Sequence, residues 1–383
     1  MNWELISMTE KDLRKLYNRF IKFRKRYFIL DAKKYSTSLQ GLKLSDRIIG
    51  EFYDNYYKIP YISFLENIKY LLYSKNAFDF LSKDSSEDWT LWPYLYFLEK
   101  ERIIKIQKSG RVKTINRGIL KLIPRPRARK EIRKAIEKKL KIKIKESEPV
   151  INLFKKFRDF EVKAKWDQMP ISQGSAIFVV EKILERLPLK KNFLFVGDDD
   201  FVSVILGLSA PEVESLVIDA DEQLLDCINL LAKKFKLKIK IKKVDIRKKT
   251  NLGEKIIGFL TNPVYTADGV KEFVKYGKNQ LGKDGGVVFL EVGDESIGNR
   301  FLTLQEFFTK NGLIISELIR GRIFYPYIEL YKEDKEIFRR LSALIDGKVI
   351  KNSPKLAASL YIFKYLPSKI KKVKFKKPFY AYL

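Results

Sequence analysis

Short apolar runs alternate with amphipathic segments over residues 150–367, and this pattern predicts a β-sheet with helices between its strands. Two of the amphipathic segments, 222–235 and 267–280, repeat apolar residues at helical spacing. Strands that alternate with helices are joined by right-handed crossovers, so we expect a parallel sheet covered on both faces. Predicted parallel strands lie at 192–196, 215–218, 238–244, 256–260 and 286–292, and 313–318 with 360–365 forms a closing antiparallel hairpin.

The first sixty residues predict a helical N-terminal arm. Thr9 is a candidate N-cap, and apolar side chains follow it at helical spacing on one face. The opposite face is basic, so the arm is expected to pack on the rest of the protein or on a partner. The apolar positions are Leu13, Leu16, Tyr17, Phe20 and Phe23.

Residues 61–149 predict a small domain followed by a basic connector. Helical patterns at 62–73 and 89–100 precede two alternating strands that flank Gly110, which is a hairpin signal. Helices followed by a hairpin predict a winged-helix-like α+β domain, a module used for DNA contact or for packing. The chain is therefore divided into four predicted parts: 1–60, 61–149, 150–367 and a basic tail at 368–383.

The charge of the chain is strongly positive and unevenly placed. The 383 residues have a net charge of +30, and residues 101–150 hold 18 Lys and Arg against five Glu, a net of +13. Such a field attracts polyanions, so nucleic acid is one predicted partner, while a solvated lysine-rich surface is the alternative. The Lys, Glu and Ile content is typical of thermophiles.

Composition excludes several kinds of site. The chain has no histidine and one cysteine, Cys227, which rules out a disulfide framework and disfavours a zinc site or a histidine-based triad. We therefore predict no metal. No apolar run approaches the roughly 18 residues that span a bilayer, so we predict no membrane association and a cytoplasmic location.

Acidic residues follow the predicted strands at the edge where open parallel sheets bind ligands. The run Gly197–Asp198–Asp199–Asp200 ends the first strand, and Asp219 lies 22 residues after Gly197, near the separation expected of an acid that holds ribose hydroxyls. An aspartate after a strand also commonly caps the next helix, so each acid keeps that alternative. The other strand-end residues are Asp221, Asp245, Asn262 and Pro263.

Three adjacent aspartates predict a positively charged ligand. S-adenosylmethionine has a carboxylate on its amino-acid arm, and two like charges about 4 Å apart repel by roughly 4 kcal/mol at an effective dielectric constant near 20. Decarboxylated S-adenosylmethionine lacks that carboxylate and ends in an ammonium group. A polyamine acceptor is also a chain of ammonium groups, so the triplet suits both molecules.

Three motifs resemble the branched-chain polyamine synthases of archaea and thermophilic bacteria. They are GDDD at 197–200, DQMP at 167–170 and LVIDADEQLLD at 216–226. The resemblance implies a winged-helix-like N-terminal domain and a class I methyltransferase-like, Rossmann-type α/β C-terminal domain. It also implies aminopropyl transfer from decarboxylated S-adenosylmethionine to the secondary amine of spermidine, which releases methylthioadenosine.

The resemblance also implies roles for individual residues. Asp199, with Asp198 next to it, is the expected base or the group that orients the attacking nitrogen. Crowded acids raise each other's pKa toward a value useful for that role. Substrate binding is assigned to Asp200, Asp167, Gln168 and Tyr265, and donor binding to Gly197, Asp219, Asp221, Asp245, Asn262 and Pro263.

One departure from the family pattern leaves other functions open. The family has Thr-Asp-Pro-Pro where this chain has Thr261-Asn262-Pro263-Val264, and asparagine cannot act as a base. The segment Asn262–Tyr265 is one residue from the Asn-Pro-Pro-Tyr loop of enzymes that methylate exocyclic amines of bases, so a nucleic-acid methyltransferase is the second hypothesis. A catalytically lapsed paralogue that binds nucleic acid or a partner chain is the third. A homodimer is also among the predicted assemblies.

Overall fold

The computed structural model describes residues 8–39, 45–54, 58–74, 76–77, 88–248, 250–326, 328 and 332–367. The described residues before Gly118, together with Pro367, form one compact unit, and Gly118–Leu366 forms the other. The basic connector, predicted at 124–149, therefore groups with the sheet rather than with the preceding helices. The four-part division stays a prediction, and the predicted tail at 368–383 lies outside the described residues.

The described residues of the first unit form four helices and a two-stranded hairpin. Helix α1 begins where Thr9 and Asp12 cap it reciprocally: the Asp12 N–H donates to Thr9 Oγ1 (3.3 Å), and the Thr9 N–H donates to Asp12 Oδ2 (3.0 Å). The cap predicted at Thr9 is therefore present. The elements are α1 Glu10–Leu39, α2 Asp46–Phe52, α3 Tyr61–Tyr73, α4 Asp88–Lys100, β1 Ile104–Ile106 and β2 Val112–Thr114.

The N-terminal arm packs into the core of this first unit. Leu13, Leu16 and Phe20 are buried. The Phe20 ring lies 4.4 Å from the ring of Tyr94 and 5.1 Å from that of Phe64, measured between centroids. Such aromatic contacts add to the stabilisation from burial. The helices and the hairpin are the parts that a winged-helix-like domain needs, and that assignment stays a prediction.

The second unit is built on one seven-stranded sheet. Its spatial order is β5-β4-β3-β6-β7-β9-β8, in which the first five strands are parallel and β9 is antiparallel to both of its neighbours. This is the strand order of a class I methyltransferase-like fold, and it confirms the predicted α/β class. The strands are β3 Phe193–Val196, β4 Ser215–Asp219, β5 Ile239–Lys243, β6 Gly258–Thr261, β7 Gly286–Val292, β8 Leu313–Pro326 and β9 Pro354–Tyr365.

Helices cover the sheet because its central strands are apolar on both faces. Every residue of β3, β6 and β7 is buried, as expected of strands in a parallel sheet. The helices are α5 Gly118–Leu122, α6 Arg129–Leu140, α7 Gln173–Arg186, α8 Val202–Ser209, α9 Glu222–Phe235, α10 Ala267–Gln280, α11 Asp294–Ile297, α12 Phe301–Lys310, α13 Lys332–Ser342 and α14 Gly347–Asn352.

Helix α10 approaches strand β6 closely through Gly277. A Cβ atom at Gly277 would lie 2.6 Å from a ring carbon of Phe259. No real Cβ contact is that short, so the helix reaches this depth only with glycine at the contact. Gly277 lies near the C-terminal end of α10, so this contact fixes that part of the helix against β6.

We therefore expect Gly277→Leu to lower the free energy of unfolding by about 2–3 kcal/mol, because the added side chain overpacks the contact with Phe259. Urea denaturation followed by circular dichroism measures the change. Asn279→Leu, on the exposed side of the same helix, is the matched control and should stay within about 0.5 kcal/mol of the original protein. Equal stability of the two variants would contradict the packing argument.

Candidate active site

The candidate site lies where the strand order of the sheet reverses. Strand β3 has β4 on one side and β6 on the other, and open α/β sheets bind ligands beyond the carboxyl ends of the strands at such a point. Gly197 leaves β3 with φ of +78°, a conformation that glycine adopts without strain. Its N–H donates to the carbonyl of Ile218 (3.0 Å). The chain is thereby turned directly into the acidic triplet Asp198–Asp199–Asp200, which we call the triplet.

Each aspartate of the triplet accepts backbone or side-chain hydrogen bonds. Asp198 accepts from the N–H of Ser203 (3.3 Å to each oxygen), in the first turn of α8. Asp199 accepts from the N–H of Met169 (3.1 Å). Asp200 accepts from the N–H of Ile171 (2.7 Å). The triplet thus holds the segment 167–171, which contains the Asp-Gln-Met-Pro motif.

Asp198 and Asp200 are buried and Asp199 is partly buried, and this burial shifts the pKa of each carboxyl. Burial raises the pKa of the Asp198 carboxyl well above its usual range. Burial, together with the charges of Asp200 and Asp219, does the same for the pKa of Asp199. Burial raises the pKa of Asp200 to about 7, although its hydrogen bonds from Ile171 and Asn262 oppose that rise. Near neutral pH Asp200 is therefore only partly ionised, and a bound cation would favour its ionised form.

Asp219 ends β4 beside the glycine turn. A Cβ on Gly197 would lie 3.9 Å from Asp219 Oδ2, so the carboxylate lines the space that glycine leaves open. Its Oδ1 accepts the N–H of Asp221 (2.7 Å), and burial raises the pKa of Asp219. A half-buried carboxylate at this position has the chemistry to accept hydrogen bonds from ribose hydroxyls, as the sequence predicts.

Asp221 and Gln168 are bound to each other rather than open to the crevice. Asp221 is 4% exposed and caps α9 by accepting the N–H of Gln223 (3.1 Å). It also accepts Gln168 Nε2 (3.0 Å) and Lys163 Nζ (2.8 Å). Burial acts to raise the pKa of Asp221, but the hydrogen bonds from Lys163 and Gln168 outweigh it and hold that pKa below its usual value. Both residues were predicted to touch ligands, and the structure gives both a scaffolding role in the unliganded protein.

Asp167 and Asp245 stand apart from the hydrogen bonds of the triplet. Asp167 is exposed at the end of a short 3₁₀ turn, and its backbone has a left-handed conformation with φ of +56°. Asp245 accepts two hydrogen bonds from the guanidinium of Arg247 (2.9 and 2.8 Å), which lowers the pKa of Asp245 to about 2. Among the described residues, no hydrogen bond joins either aspartate to the triplet. Their ligand-binding roles stay predictions.

The loop after β6 meets the triplet through Asn262. Asn262 Nδ2 donates to Asp200 Oδ2 (2.8 Å), so this side chain supplies a neutral donor to a buried acid. Pro263 is buried next to it. The Tyr265 hydroxyl lies 2.7 Å from the hydroxyl of Tyr325 on β8, and its ring packs against Gly293, where a Cβ would approach within 2.9 Å.

Two members of the site were missed at the sequence level. Glu291, in β7, is 0% exposed, and neither of its carboxylate oxygens has a hydrogen-bond partner among the described residues. Tyr325 is also buried. The signal for Glu291 was available, because it is the single charged residue in the apolar run GVVFLEV. Burying an acid that has no hydrogen-bond partner costs free energy, so its presence in this strand indicates a function.

The described residues contain no group of three or more His, Cys, Asp or Glu side chains arranged to hold a metal ion. Among those same residues, no helix is long and apolar enough to cross a membrane.

Comparison with known proteins places the sheet domain in context. The family model described as the C-terminal domain of branched-chain polyamine synthase A matches residues 151–374, more than half of the chain. An uncharacterised protein of Methanocaldococcus jannaschii is 37% identical over 167 residues. The alignment covers 43% of this chain and 42% of that protein, so the chain spans less than half the length of this curated relative.

Solved structures give a similar but weaker match. The branched-chain polyamine synthase of Thermus thermophilus, in complex with N4-aminopropylspermidine and 5′-methylthioadenosine, is 16% identical with a TM-score of 0.47 over 88% of this chain and 92% of that one. A C9 mutein of the same enzyme is 14% identical with a TM-score of 0.47, over 92% of this chain and 96% of that one.

The Lys163–Asp221 pair yields the first test of the site's scaffold. Lys163→Met should lower the free energy of unfolding by about 1–3 kcal/mol, since it removes the cation from a buried carboxylate that keeps only neutral donors. Lys165→Met changes an exposed lysine two residues away and should leave stability nearly unchanged. Chemical denaturation of both variants measures the difference, and a loss shared equally by both would argue against the pairing.

The raised pKa of Asp200 predicts a pH dependence of stability. Because the folded-state pKa of about 7 lies above the ordinary value of 3.8, the folded protein keeps a proton that the unfolded chain loses in this window. The contribution of Asp200 to stability therefore falls as pH rises from about 4 to 7. An asparagine at 200 still accepts the Ile171 N–H and can donate to a rotated Asn262 amide. We expect Asp200→Asn to gain stability relative to the original protein between pH 4 and pH 8, by about 1 kcal/mol or more.

Free energies of unfolding at pH 4 and pH 8 check this expectation. Asp268→Asn, whose side chain is 94% exposed, is the control and should follow the pH profile of the original protein. If Asp200→Asn also runs parallel to that profile, Asp200 is ionised in the folded protein throughout the range.

Proposed function

Because its sheet domain matches the family model over residues 151–374, the chain belongs to the branched-chain polyamine synthase A family of transferases, and we propose that it is an aminopropyltransferase. The proposed donor is decarboxylated S-adenosylmethionine, and the proposed acceptor is the secondary amine of spermidine or a related polyamine. The products are a branched-chain polyamine and methylthioadenosine.

One observation carries this proposal beyond family membership: three adjacent carboxyls follow β3, with Asp198 and Asp200 buried and Asp199 partly buried, and burial raises the pKa of each. Buried acids in this state favour ligands that bring positive charge, because a nearby cation stabilises their ionised form. The donor carries a sulfonium and an ammonium group, and the acceptor carries several ammonium groups. A ligand carboxylate about 4 Å from an ionised acid of the triplet would instead add repulsion of roughly 4 kcal/mol at an effective dielectric constant near 20.

The residues at the start of the crevice fit the nucleoside part of the donor. The positive φ of Gly197 keeps a Cβ out of the space beside Asp219. Asp219 would accept the ribose hydroxyls. Asp221 already accepts hydrogen bonds from Gln223, Lys163 and Gln168. It would therefore act by holding α9 and the adjoining loop in place.

The transfer needs little from the protein beyond orientation and one proton acceptor. The amine nitrogen attacks the carbon bonded to sulfur, so a C–N bond forms while the C–S bond breaks and its electron pair leaves with the sulfur of methylthioadenosine. The nitrogen loses one proton. We assign that proton to Asp199, with Asp198 next to it, because burial and neighbouring acids raise the affinity of Asp199 for a proton.

Asn262 has a defined part in this arrangement. Its amide donates to Asp200 Oδ2 (2.8 Å), so it orients an acid that would hold a substrate ammonium group. Asparagine cannot take a proton, and the proposed chemistry does not require it to do so. Asp167 and Tyr265 remain proposed substrate contacts at the rim of the crevice.

The alternative of base methylation is less well supported by the loop 262–265. In such enzymes an asparagine amide binds the target amine and an aromatic ring stacks on the flipped base. Here the Asn262 amide donates to Asp200, and the Tyr265 hydroxyl pairs with Tyr325. Both side chains are thus engaged in the unliganded protein. A lapsed paralogue that binds nucleic acid would show salt-dependent nucleic-acid binding and no turnover.

Donor preference separates the proposed function from methyl transfer. Thermal-shift titrations should show tighter binding of decarboxylated S-adenosylmethionine than of S-adenosylmethionine, by about tenfold or more, since a repulsion of 1.4 kcal/mol is already a factor of ten. A preference for the carboxylated donor would favour the methyltransferase hypothesis.

Asp199→Asn should lower aminopropyl transfer by about 10²–10⁴-fold, the usual contribution of general base catalysis, without loss of the fold. Mass spectrometry of products from decarboxylated S-adenosylmethionine and spermidine measures the rate, and circular dichroism confirms folding. The matched control is Asp268→Asn, at an exposed position in α10. Turnover by Asp199→Asn at the rate of the original protein would remove Asp199 from the mechanism.

A further inference from the structure

Glu291 is a buried acid that the protein itself does not satisfy. Its side chain is fully buried, and neither carboxylate oxygen has a hydrogen-bond partner in the part of the chain that the structure describes. Buried polar atoms in folded proteins are almost always hydrogen-bonded, so an exception calls for an explanation. A substitution by leucine or valine would suit the strand GVVFLEV better. The acid therefore does not serve packing, and a ligand is the natural partner for its oxygens.

The position of Glu291 in the sheet directs it to the candidate active site. It is the penultimate residue of β7, whose carboxyl end opens on the crevice. Leu290 pairs with Thr261 at the end of β6, so Glu291 lies level with Asn262. Leu290 and Val292 belong to the apolar core on one face of the sheet. Because side chains alternate along a strand, Glu291 points to the other face.

The surroundings of Glu291 are acidic and aromatic. Burial, reinforced by the charges of Asp200, Asp199 and Asp198, raises the pKa of Glu291 well above its usual range. The hydroxyl groups of Tyr265 and Tyr325 lie within electrostatic range, and Glu291 contributes to the raised pKa of each. Burial therefore favours the neutral form of the Glu291 carboxyl, which reduces the cost of burying it.

The strand order separates Glu291 from the donor side of the crevice. Asp219, the proposed ribose contact, ends β4, and the spatial order from there is β4-β3-β6-β7. Three steps between neighbouring strands amount to roughly 14 Å. The triplet lies between, at the end of β3. If the nucleoside sits against Asp219 and transfer occurs at the triplet, Glu291 lies on the side where the acceptor extends.

We propose that Glu291 is a substrate-binding carboxylate that receives a protonated nitrogen of the polyamine acceptor and releases its own proton as that nitrogen enters. This inference rests on the proposed function and adds the acceptor subsite to it. The ammonium group supplies the hydrogen-bond donor that the protein lacks and the charge that stabilises the ionised carboxylate. The polyamine enters as a cation, so the proton from Glu291 passes to solvent.

Isothermal titration calorimetry of the full-length chain with spermidine tests the proposal. Methylthioadenosine is present at saturation, and the titration is run at pH 7.5 in two buffers of different ionisation enthalpy. The buffer dependence counts the protons released on binding. Glu291→Gln keeps the shape of the side chain but cannot ionise. It should bind spermidine at least tenfold more weakly and release about one proton fewer than the original protein.

Three further measurements make the result specific. Glu295→Gln, at an exposed position four residues later, should match the original protein in affinity and proton release. The affinity of Glu291→Gln for methylthioadenosine alone should be unchanged, because Asp219 and Gly197 are intact. Glu291→Met, which removes the unpaired carboxyl, should raise the melting temperature of the unliganded protein and reproduce the loss of spermidine binding.

The outcomes separate the two proposals. Glu291→Gln or Glu291→Met binding spermidine with unchanged affinity and proton release would overturn the role of Glu291 and leave the proposed function standing. If the original protein binds neither methylthioadenosine nor spermidine, the proposed function itself is overturned. If a folded Glu291 variant loses methylthioadenosine binding as well as spermidine binding, Glu291 supports the structure of the whole site and does not bind the acceptor specifically.

Discussion

The cost of removing several carboxyl groups from water together governs the structure of this crevice. Asp198 and Asp200 are almost fully buried, and Glu291 is completely so. Like charges this close cannot all ionise in a medium of low dielectric constant. The protein offsets the cost in two ways: burial raises the pKa of these acids and so favours their neutral forms, and backbone N–H groups and Asn262 supply hydrogen-bond donors. A cationic substrate would offset the rest of this cost, because its charge stabilises the ionised carboxylates.

The same donors organise the chain around the site. Met169 and Ile171 give their N–H groups to Asp199 and Asp200, and Ser172, the next residue, caps α7. Lys163 and Gln168 hold Asp221, which caps α9. Two helices and the loop 163–172 therefore depend on acids at the ends of β3 and β4. This coupling explains why the Asp-Gln-Met-Pro motif and the triplet occur together in one chain.

The sheet was predictable from sequence because its signals are local. Strand β7 and helices α9 and α10 begin and end where their apolar periodicity predicts, since each is bounded by turn or capping residues. The closing strands were placed correctly but predicted too short: β8 has 14 residues and β9 has 12. Their outer parts pair only with each other, with shifts in register at three points, and such non-local pairing leaves little trace in the alternation of residues.

The site was predictable only in part, for a related reason. Strand-end position correctly brought Asp198, Asp199, Asp200, Asp219 and Asn262 to one edge of the sheet, because parallel strands end together. It did not show that Asp221 and Gln168 bind each other, or that Arg247 covers Asp245, since these pairings depend on side-chain distances. Glu291 was overlooked because a strand that is otherwise apolar was interpreted as packing alone.

The backbone bonds from Met169 and Ile171 to the triplet have a mechanical consequence. A hydrogen bond to an ionised carboxylate is shorter and about twice as strong as one to a neutral carboxyl. When a bound polycation favours the ionised forms of Asp199 and Asp200, the hydrogen bonds that they accept from the N–H groups of Met169 and Ile171 become stronger. The loop would then become more rigid when a cationic ligand binds and more mobile when the ligand leaves. Slower amide hydrogen exchange at residues 169 and 171 would report that the crevice is occupied.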